Sequence, residues 1–435
     1  MRKLAVLFFA VVLIGGCAKT SKSTLPLVLT VPFFEDVWGG VAYDVTCDSS
    51  DNVYVVGYGY NSPKQQGGVS PAYWGIRKFS SSGTETTAAW SDNPVTAYPN
   101  GWNRPYAVKI DSTGNVYVAG TITDDVSGTY TDWYVMKFSS AGAVDSDWNK
   151  QFGTSGAWDE AYALGIDSLG DVYVAGYLFN GVTNDDWWIQ KFEGTTGDVI
   201  STGWDKKIDS SSANGEMVQS VVIDGSNNVY VAGISGSDYD LTLKKFDYTG
   251  AEDTTNWDKT ISINYDPSII KNPFGQRLAL DSSGENVYYI GSGIDQDSVS
   301  TGVDWIIKKF SSDGSESATW NKAIDGGGDA EAFAVAVDSE DNVYVVGYGI
   351  NLHSATSGRD WWIKKFDSNG DEIISGWNKI IHGGHSNADA LETAYGVAID
   401  SGDNVYVVGT VVPSTGGNIW RIVKYAGDGT EQFRK

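Results

Sequence analysis

Hydrophobic and polar positions alternate with a period of two along most of this chain, and no segment sustains a capped apolar period of 3.6. Large apolar residues recur at Tyr162, Leu164 and Ile166, with small Ala163 and Gly165 between them; Phe333, Val335 and Val337 repeat the pattern around Ala334 and Ala336. After each such run comes a Val-Tyr-Val stretch ending in glycine. Next is a Trp-x-Ile-x-Lys-Phe stretch, then a segment holding one more tryptophan followed by Asn or Asp and Lys. The pattern predicts four short strands per unit. Asp-Ser-x-Gly-Asn turns join the first two strands, and Ser-x-Gly turns join the last two.

The unit occurs seven times. CDSSDNVYVVG (47–57), IDSTGNVYVAG (110–120), IDSLGDVYVAG (166–176), IDGSNNVYVAG (223–233), LDSSGENVYYIG (280–291), VDSEDNVYVVG (337–347) and IDSGDNVYVVG (399–409) are near copies. Their leading aspartates, Asp48, Asp111, Asp167, Asp224, Asp281, Asp338 and Asp400, are spaced by 63, 56, 57, 57, 57 and 62 residues. A repeated four-stranded antiparallel unit cannot bury both faces alone. Arranged radially, each unit covers its neighbour and a closed ring leaves no open flank. The expected fold is therefore all-β, a seven-bladed propeller over residues 26–435. The third strand is headed by Trp74, Trp133, Trp187, Trp305, Trp361 and Trp420, with Leu241 in the fourth unit; the last carries Trp90, Trp148, Trp204, Trp257, Trp320 and Trp377. Those positions hold 12 of the 17 tryptophans, which makes most of them architectural.

The IDSxGNVYVAG stretches resemble a bacterial seven-bladed β-propeller repeat family, often labelled SBBP, over about residues 38–430. The resemblance implies a secreted or surface propeller and brings no catalytic signature.

At the N-terminus Arg2 and Lys3 precede an apolar run from Leu4 to Ile14, then Ile14-Gly15-Gly16-Cys17. This resembles a bacterial lipobox. Residues 1–16 are expected to be a lipoprotein signal peptide, Cys17 the lipidated residue, and 17–25 a tether. The expected location is the bacterial cell envelope, at the outer membrane or cell surface rather than the inner membrane, because Ala18 and not Asp follows the cysteine. Cys47 occupies a position held by Ile, Leu or Val in the other units and reads as a small buried hydrophobe.

The formal charge of −25 and pI near 4.3 repel phosphate backbones, so nucleic acid is not an expected partner. A lysine precedes the aromatic that ends every third strand: Lys78, Lys137, Lys191, Lys245, Lys309, Lys365 and Lys424. A meander brings this position beside the first-strand aspartate, so Lys–Asp contacts or shared turn hydrogen bonds are expected. The Asp-Ser-x-Gly-Asn turns offer too few alternating oxygens for a calcium loop and read as Asx-type turns. Asp132, Asp186, Asp240, Asp304 and Asp360, just before the third strand, read as turn or strand-entry residues on the opposite face, the alternative being that five acids around one face attract cations. His382 and His385, with His353 in another loop, read as exposed loop histidines, since a third metal ligand would have to come from elsewhere. No cofactor or metal is expected.

The spacing from second-strand glycine to third-strand Trp position varies as 17, 13, 11, 8, 14, 14 and 11 residues, so the variable loops share one face and the uniform turns the other. On the variable face the blade-to-blade loops carry the candidate ligand-binding residues Trp38, Trp102, Arg104, Trp158, Asp159 and Glu160. Tyr106, Tyr162 and Tyr395 stand at the same end of the inner strands. The expected function is a monomeric, non-enzymatic binding or scaffold module for a protein or glycan, joined to a membrane by its lipid. The alternative is a glycan hydrolase or lyase with its site at the channel rim.

The seventh unit runs out of sequence after GDGTEQFRK, without an outer Trp, while residues 26–34 (PLVLTVPFF) form an apolar extended run before the first unit. This run is expected to clasp the last blade, either as its outer strand or over a short strand made by 430–435. On that reading, deleting 25–36 lowers the melting temperature sharply, and a shift of only a degree or two in a thermal scan refutes the clasp.

Overall fold

The computed structural model describes residues 39–60, 72–86, 90, 102–123, 130–179, 185–209, 215–236, 239–263, 275–294, 296, 302–384, 392–414 and 417–435. These form seven antiparallel sheets in a closed ring, a seven-bladed β-propeller. The inner strands are Gly40–Cys47, Arg104–Ile110, Glu160–Ile166, Met217–Ile223, Leu278–Leu280, Glu331–Val337 and Thr393–Ile399. Blade 3 is representative: Glu160–Ile166 pairs with Val172–Phe179, that with Asp185–Phe192, and that with the short Lys206–Ile208. Helical structure among the described residues is limited to two single 3₁₀ turns, Ser146–Trp148 and Ala318–Trp320. No described helix is long and apolar enough to cross a membrane.

Blade contacts rest on a three-part joint. The inner strand bulges by one residue opposite the second-strand glycine: at Tyr43, Tyr106, Tyr162, Gln219, Phe333 and Tyr395. The bulge drives inner-strand backbone over that glycine, so a Cβ at Gly57, Gly120, Gly176, Gly233, Gly347 or Gly409 would run into a carbonyl oxygen of the inner strand. The bare glycine also receives a tryptophan from the preceding blade. The Trp361 ring lies 2.8 Å from where a Cβ on Gly409 would stand, and the Trp187 ring 2.9 Å from one on Gly233.

The indole then donates to the carbonyl just after the glycine. Trp74 bonds Thr121 O at 3.0 Å, Trp133 bonds Tyr177 O at 2.9 Å, Trp187 bonds Ile234 O at 2.8 Å, Trp305 bonds Tyr348 O at 3.1 Å and Trp361 bonds Thr410 O at 2.7 Å. Trp420 of blade 7 bonds Tyr58 O of blade 1 at 2.9 Å, so the same joint closes the ring. Between blades 4 and 5 Leu241 packs on Gly291 and no indole bond is possible.

The bulge separates residues that simple alternation places on one face. Leu164 lies in the blade 2–3 core and Ile166 packs against it, whereas Tyr162 turns into a separate aromatic cluster on the channel axis.

The other tryptophan row braces the outer edge. Trp148, Trp204, Trp257, Trp320 and Trp377 stand edge-on to the second-strand tyrosine of their own blade, at 4.7–5.0 Å between centroids. Each donates to a carbonyl in a turn of the next blade. The third-strand lysines sit above these rings: Lys365 is 4.9 Å from Tyr344 and 5.6 Å from Trp377. The expected Lys–Asp pairs occur at Lys191–Asp167 (3.0 Å), Lys424–Asp400 (3.3 Å), Lys365–Asp338 (3.5 Å) and Lys78–Asp48 (4.0 Å). Lys137 and Lys245 bond carbonyls of the next blade's turn instead. The turn aspartates are filled by protein donors. Asp48 accepts from Ser50 N, Asn52 N, Asn52 Nδ2 and Tyr54 OH. These bonds outweigh burial and hold its carboxyl below the usual range.

Blade 7 takes its outer strand from the C-terminus: Glu431–Arg434 pairs with Ile419–Tyr425, and Phe433 stands against Tyr406 where other blades use tryptophan. The run 26–34 lies outside the described residues. In blade 1 three strands are described, Gly40–Cys47, Val53–Tyr60 and Ala72–Phe79.

Trp420→Leu, which copies the natural Leu241 joint at the ring seam, should cost about 1–3 kcal/mol through the lost hydrogen bond and stranded carbonyl. Gly409→Ala should cost more, because its neighbours are backbone on one side and a packed indole on the other. Denaturant midpoints check both; a Gly409→Ala chain as stable as wild type would refute the joint.

Candidate functional site

The propeller axis is not an open tube. At the variable-loop end the bulge residues Phe333, Tyr395, Tyr43, Tyr106 and Tyr162 form an arc of rings, each 4.9–5.5 Å from the next. Tyr58, Tyr177 and Tyr348, each just after a second-strand glycine, back the arc. Gln219 and Gln276 occupy the equivalent positions in blades 4 and 5, leaving a polar gap. Lys109 reaches across it to Gln276 Oε1 at 2.6 Å. Asp44 accepts from Val45 N and Val108 N beside it, and burial holds its carboxyl above the usual value against the opposing charge of Lys109. At the short-turn end the axis widens to a cavity of about 380 Å³, lined by inner-strand ends including Cys47, Ile166, Ile223, Leu280, Val337 and Ile399. Cys47 is half-buried, packing against the blade 1–7 core while also lining this cavity.

Above the aromatic plug lies a charged layer. Arg104 begins the blade 2 inner strand and stacks on Trp102 at 4.4 Å and Tyr58 at 5.0 Å. Glu160 begins the blade 3 inner strand and accepts from Tyr162 OH at 2.6 Å and Tyr106 OH at 3.3 Å. Loss of hydration holds its carboxyl above the ordinary value, against the Tyr162 bond and the Arg104 charge. Beside it Asp185 is raised to about 6, chiefly by burial and then by the charges of Asp159, Glu160 and Asp186. Blade 6 mirrors part of this layer: Glu331 accepts from Tyr348 OH at 2.7 Å, and Arg359 covers the Tyr348 ring at 4.1 Å.

The structure therefore gathers Arg104, Tyr106, Glu160 and Tyr162, with Tyr395 buried farther along the arc. It separates Asp159 from them. That side chain is fully buried and accepts from Phe179 N at 2.7 Å and from Thr154 N, tying two loops together. Trp102 and Trp158 are 49% and 47% exposed, whereas the other described tryptophans are buried or, for Trp420, partly buried. Trp158 is anchored by its backbone beside Thr131, at the head of blade 2's third strand. Trp38 and Cys17 lie outside the described residues.

Sequence reasoning missed Asp185, Arg359 and the tyrosines after the glycines. The recurrent Gly-Tyr pairs 57–58, 176–177 and 347–348 were a legible signal for the last group. His382 is not an exposed loop histidine. Its side chain is 10% exposed and lies between Asp360 and Glu392, because both acids pack at the blade 6–7 seam. His385 lies outside the described residues.

Residues 147–177 match the family model described as SBBP, a beta-propeller repeat. One stretch of the chain thus matches an SBBP beta-propeller repeat, and the sequence carries seven near copies of its core pattern. The matched stretch runs from the end of blade 2 through the inner strand and bulge of blade 3 to its second-strand glycine. No curated protein matches this propeller. Among solved structures it is similar to a putative 6-phosphogluconolactonase from Bacteroides uniformis, at 12% identity over 91% of this chain and 95% of that one, with a TM-score of 0.48. It is also similar to a polysaccharide lyase, at 10% identity over 88% and 89%, TM-score 0.48. A protein of unknown function from Dyadobacter fermentans aligns at 10% identity over 88% and 93%, TM-score 0.47.

Asp185 binds a proton more readily in the fold than in the open chain, so its ionisation opposes folding. Its contribution is intact below about pH 4 and lost as pH rises through about 6. Asp185→Asn should therefore melt higher than wild type at pH 7 and equally at pH 4. A difference independent of pH would refute the assignment.

Proposed function

We propose that the protein is a binding module that presents its variable-loop face to a glycan, held at the bacterial envelope by lipid on Cys17. The observation that carries this reading is the exposure of Trp102 and Trp158 in a propeller that otherwise shelters its described tryptophans. A half-exposed indole offers a flat apolar face that suits the C–H face of a pyranose ring, at low entropy cost. Arg104 behind Trp102, with the Glu160 carboxylate and the tyrosine hydroxyls on it, supplies polar groups for sugar hydroxyls. The strong negative charge favours a neutral or cationic glycan over a polyanionic one.

A second reading, a glycan-cleaving enzyme, draws on one specific observation. Glu160 and Asp185 lie on the first and third strands of blade 3, the charge of Glu160 helps to raise Asp185, and both are held above ordinary carboxylate values, as a general acid requires.

Calorimetric titration against a panel of neutral and cationic polysaccharides tests the first reading. Trp102→Ala and Trp158→Ala should each weaken binding about tenfold, in keeping with loss of one aromatic contact, while melting stays unchanged. No binding across the panel, or full affinity in the double variant, would sink it. New reducing ends formed by wild type but not by Glu160→Gln would move the assignment to the enzyme.

A further inference from the structure

We propose that Asp360, His382 and Glu392 form a site for one divalent transition-metal ion of the zinc class. The proposal does not depend on the glycan reading.

The three residues come from three segments that meet at the blade 6–7 seam. Asp360 lies in Arg359–Phe366, His382 directly follows Lys379–Ile381, and Glu392 directly precedes Thr393–Ile399. Both carboxylates are fully buried. His382 Nδ1 lies 3.0 Å from Asp360 Oδ1 and 3.4 Å from Glu392 Oε2, and one ligand atom from each residue falls within 4.8 Å of the others. Tetrahedral zinc with bonds of about 2.0–2.1 Å places its ligand atoms roughly 3.3 Å apart, so these separations suit a shared ion.

The carboxylates are held in orientation from behind. Asp360 Oδ2 accepts from His353 N at 2.9 Å and Ser357 Oγ at 2.6 Å, while its Oδ1, aimed at His382, receives no hydrogen bond. Glu392 is fixed by Gly383 N at 2.8 Å and Val412 N at 2.9 Å. The His353 ring stacks flat on His382, 4.9 Å away at 12°. Supporting contacts of this kind set the geometry and basicity of metal ligands.

The acid pair recurs in sequence at three of the seven seams, as Asp132 with Asp159, Asp186 with Glu216 and Asp360 with Glu392; the imidazole belongs to one of them. Asp132 and Asp159 occupy the same two positions between blades 2 and 3, and there Gly153 stands where His382 stands. A Cβ on Gly153 would point between those carboxylates, 2.8 Å from Asp159 Oδ2. The blade 6–7 seam has thus added a nitrogen donor at the point where two oxygen donors already converge.

Two buried carboxylates need positive charge beside them. A divalent ion held between them supplies two units. One nitrogen and two oxygens suit zinc and its neighbours better than calcium, which takes six to eight oxygens. The described residues supply three ligands.

The test is zinc titration of the purified full chain after chelator treatment, in millimolar magnesium to occupy surface acids. One equivalent should bind with micromolar or tighter affinity and raise the melting temperature. Asp360→Asn and His382→Gln should each weaken binding at least about tenfold and remove the melting shift. Cobalt should give a visible absorption band that zinc abolishes, a readout that needs no variant should either substitution fail to fold. Absence of saturable zinc binding, absence of the cobalt band, or wild-type affinity in both folded variants overturns the proposal.

Discussion

The propeller depends on one joint: a bulged inner strand, a bare glycine opposite it, and an indole from the blade before. The parts constrain one another. Without the bulge, inner-strand backbone would not close over the glycine. With a side chain at the glycine, neither that backbone nor the indole could approach. Six of these joints end in an indole-to-carbonyl bond, including the one that seals blade 7 to blade 1. The seam therefore resembles the other blade contacts, and the short C-terminal strand Glu431–Arg434 completes its sheet.

The same bulge also builds the axis. An extra residue in one strand turns its side chain out of the alternation. Around this ring the displaced residue is aromatic in five blades and Gln219 in blade 4, and Gln276 holds the equivalent sequence position in blade 5. Hydrophobic packing and site geometry are thus two consequences of one backbone irregularity. The tyrosines that look from sequence like a binding wall are mostly committed to filling the channel. What they leave to a ligand is a hydroxyl layer under Arg104 and Glu160, with two indoles at the edge.

The two ends of the molecule divide the labour. At the short-turn end each first-strand aspartate gathers turn amides, and in six blades a tyrosine hydroxyl as well; lysines cover the rings beside it. Such partly exposed pairs are worth about 0–1 kcal/mol each, so they serve turn geometry more than stability. At the variable end the repeat supplies buried acids between blades, and single substitutions give each seam a different character. Gly153 leaves one acid pair close together, Glu160 and Asp185 share a second rim, and His382 enters a third.

Sequence by itself determined the number of blades, the four-strand unit, the glycine and tryptophan rows, and which loops share a face. Each of these is a periodic property, and seven copies make a period legible. Tertiary structure alone decided that Tyr162 leaves the face of Leu164, that Asp159 is a buried loop tie while neighbouring Glu160 faces the tyrosines, and that His382 meets two acids. The first follows from a register shift of one residue, which alternation cannot reveal. The others arise where one blade docks on the next, and residues 360, 382 and 392 carry no local pattern that brings them within hydrogen-bonding distance.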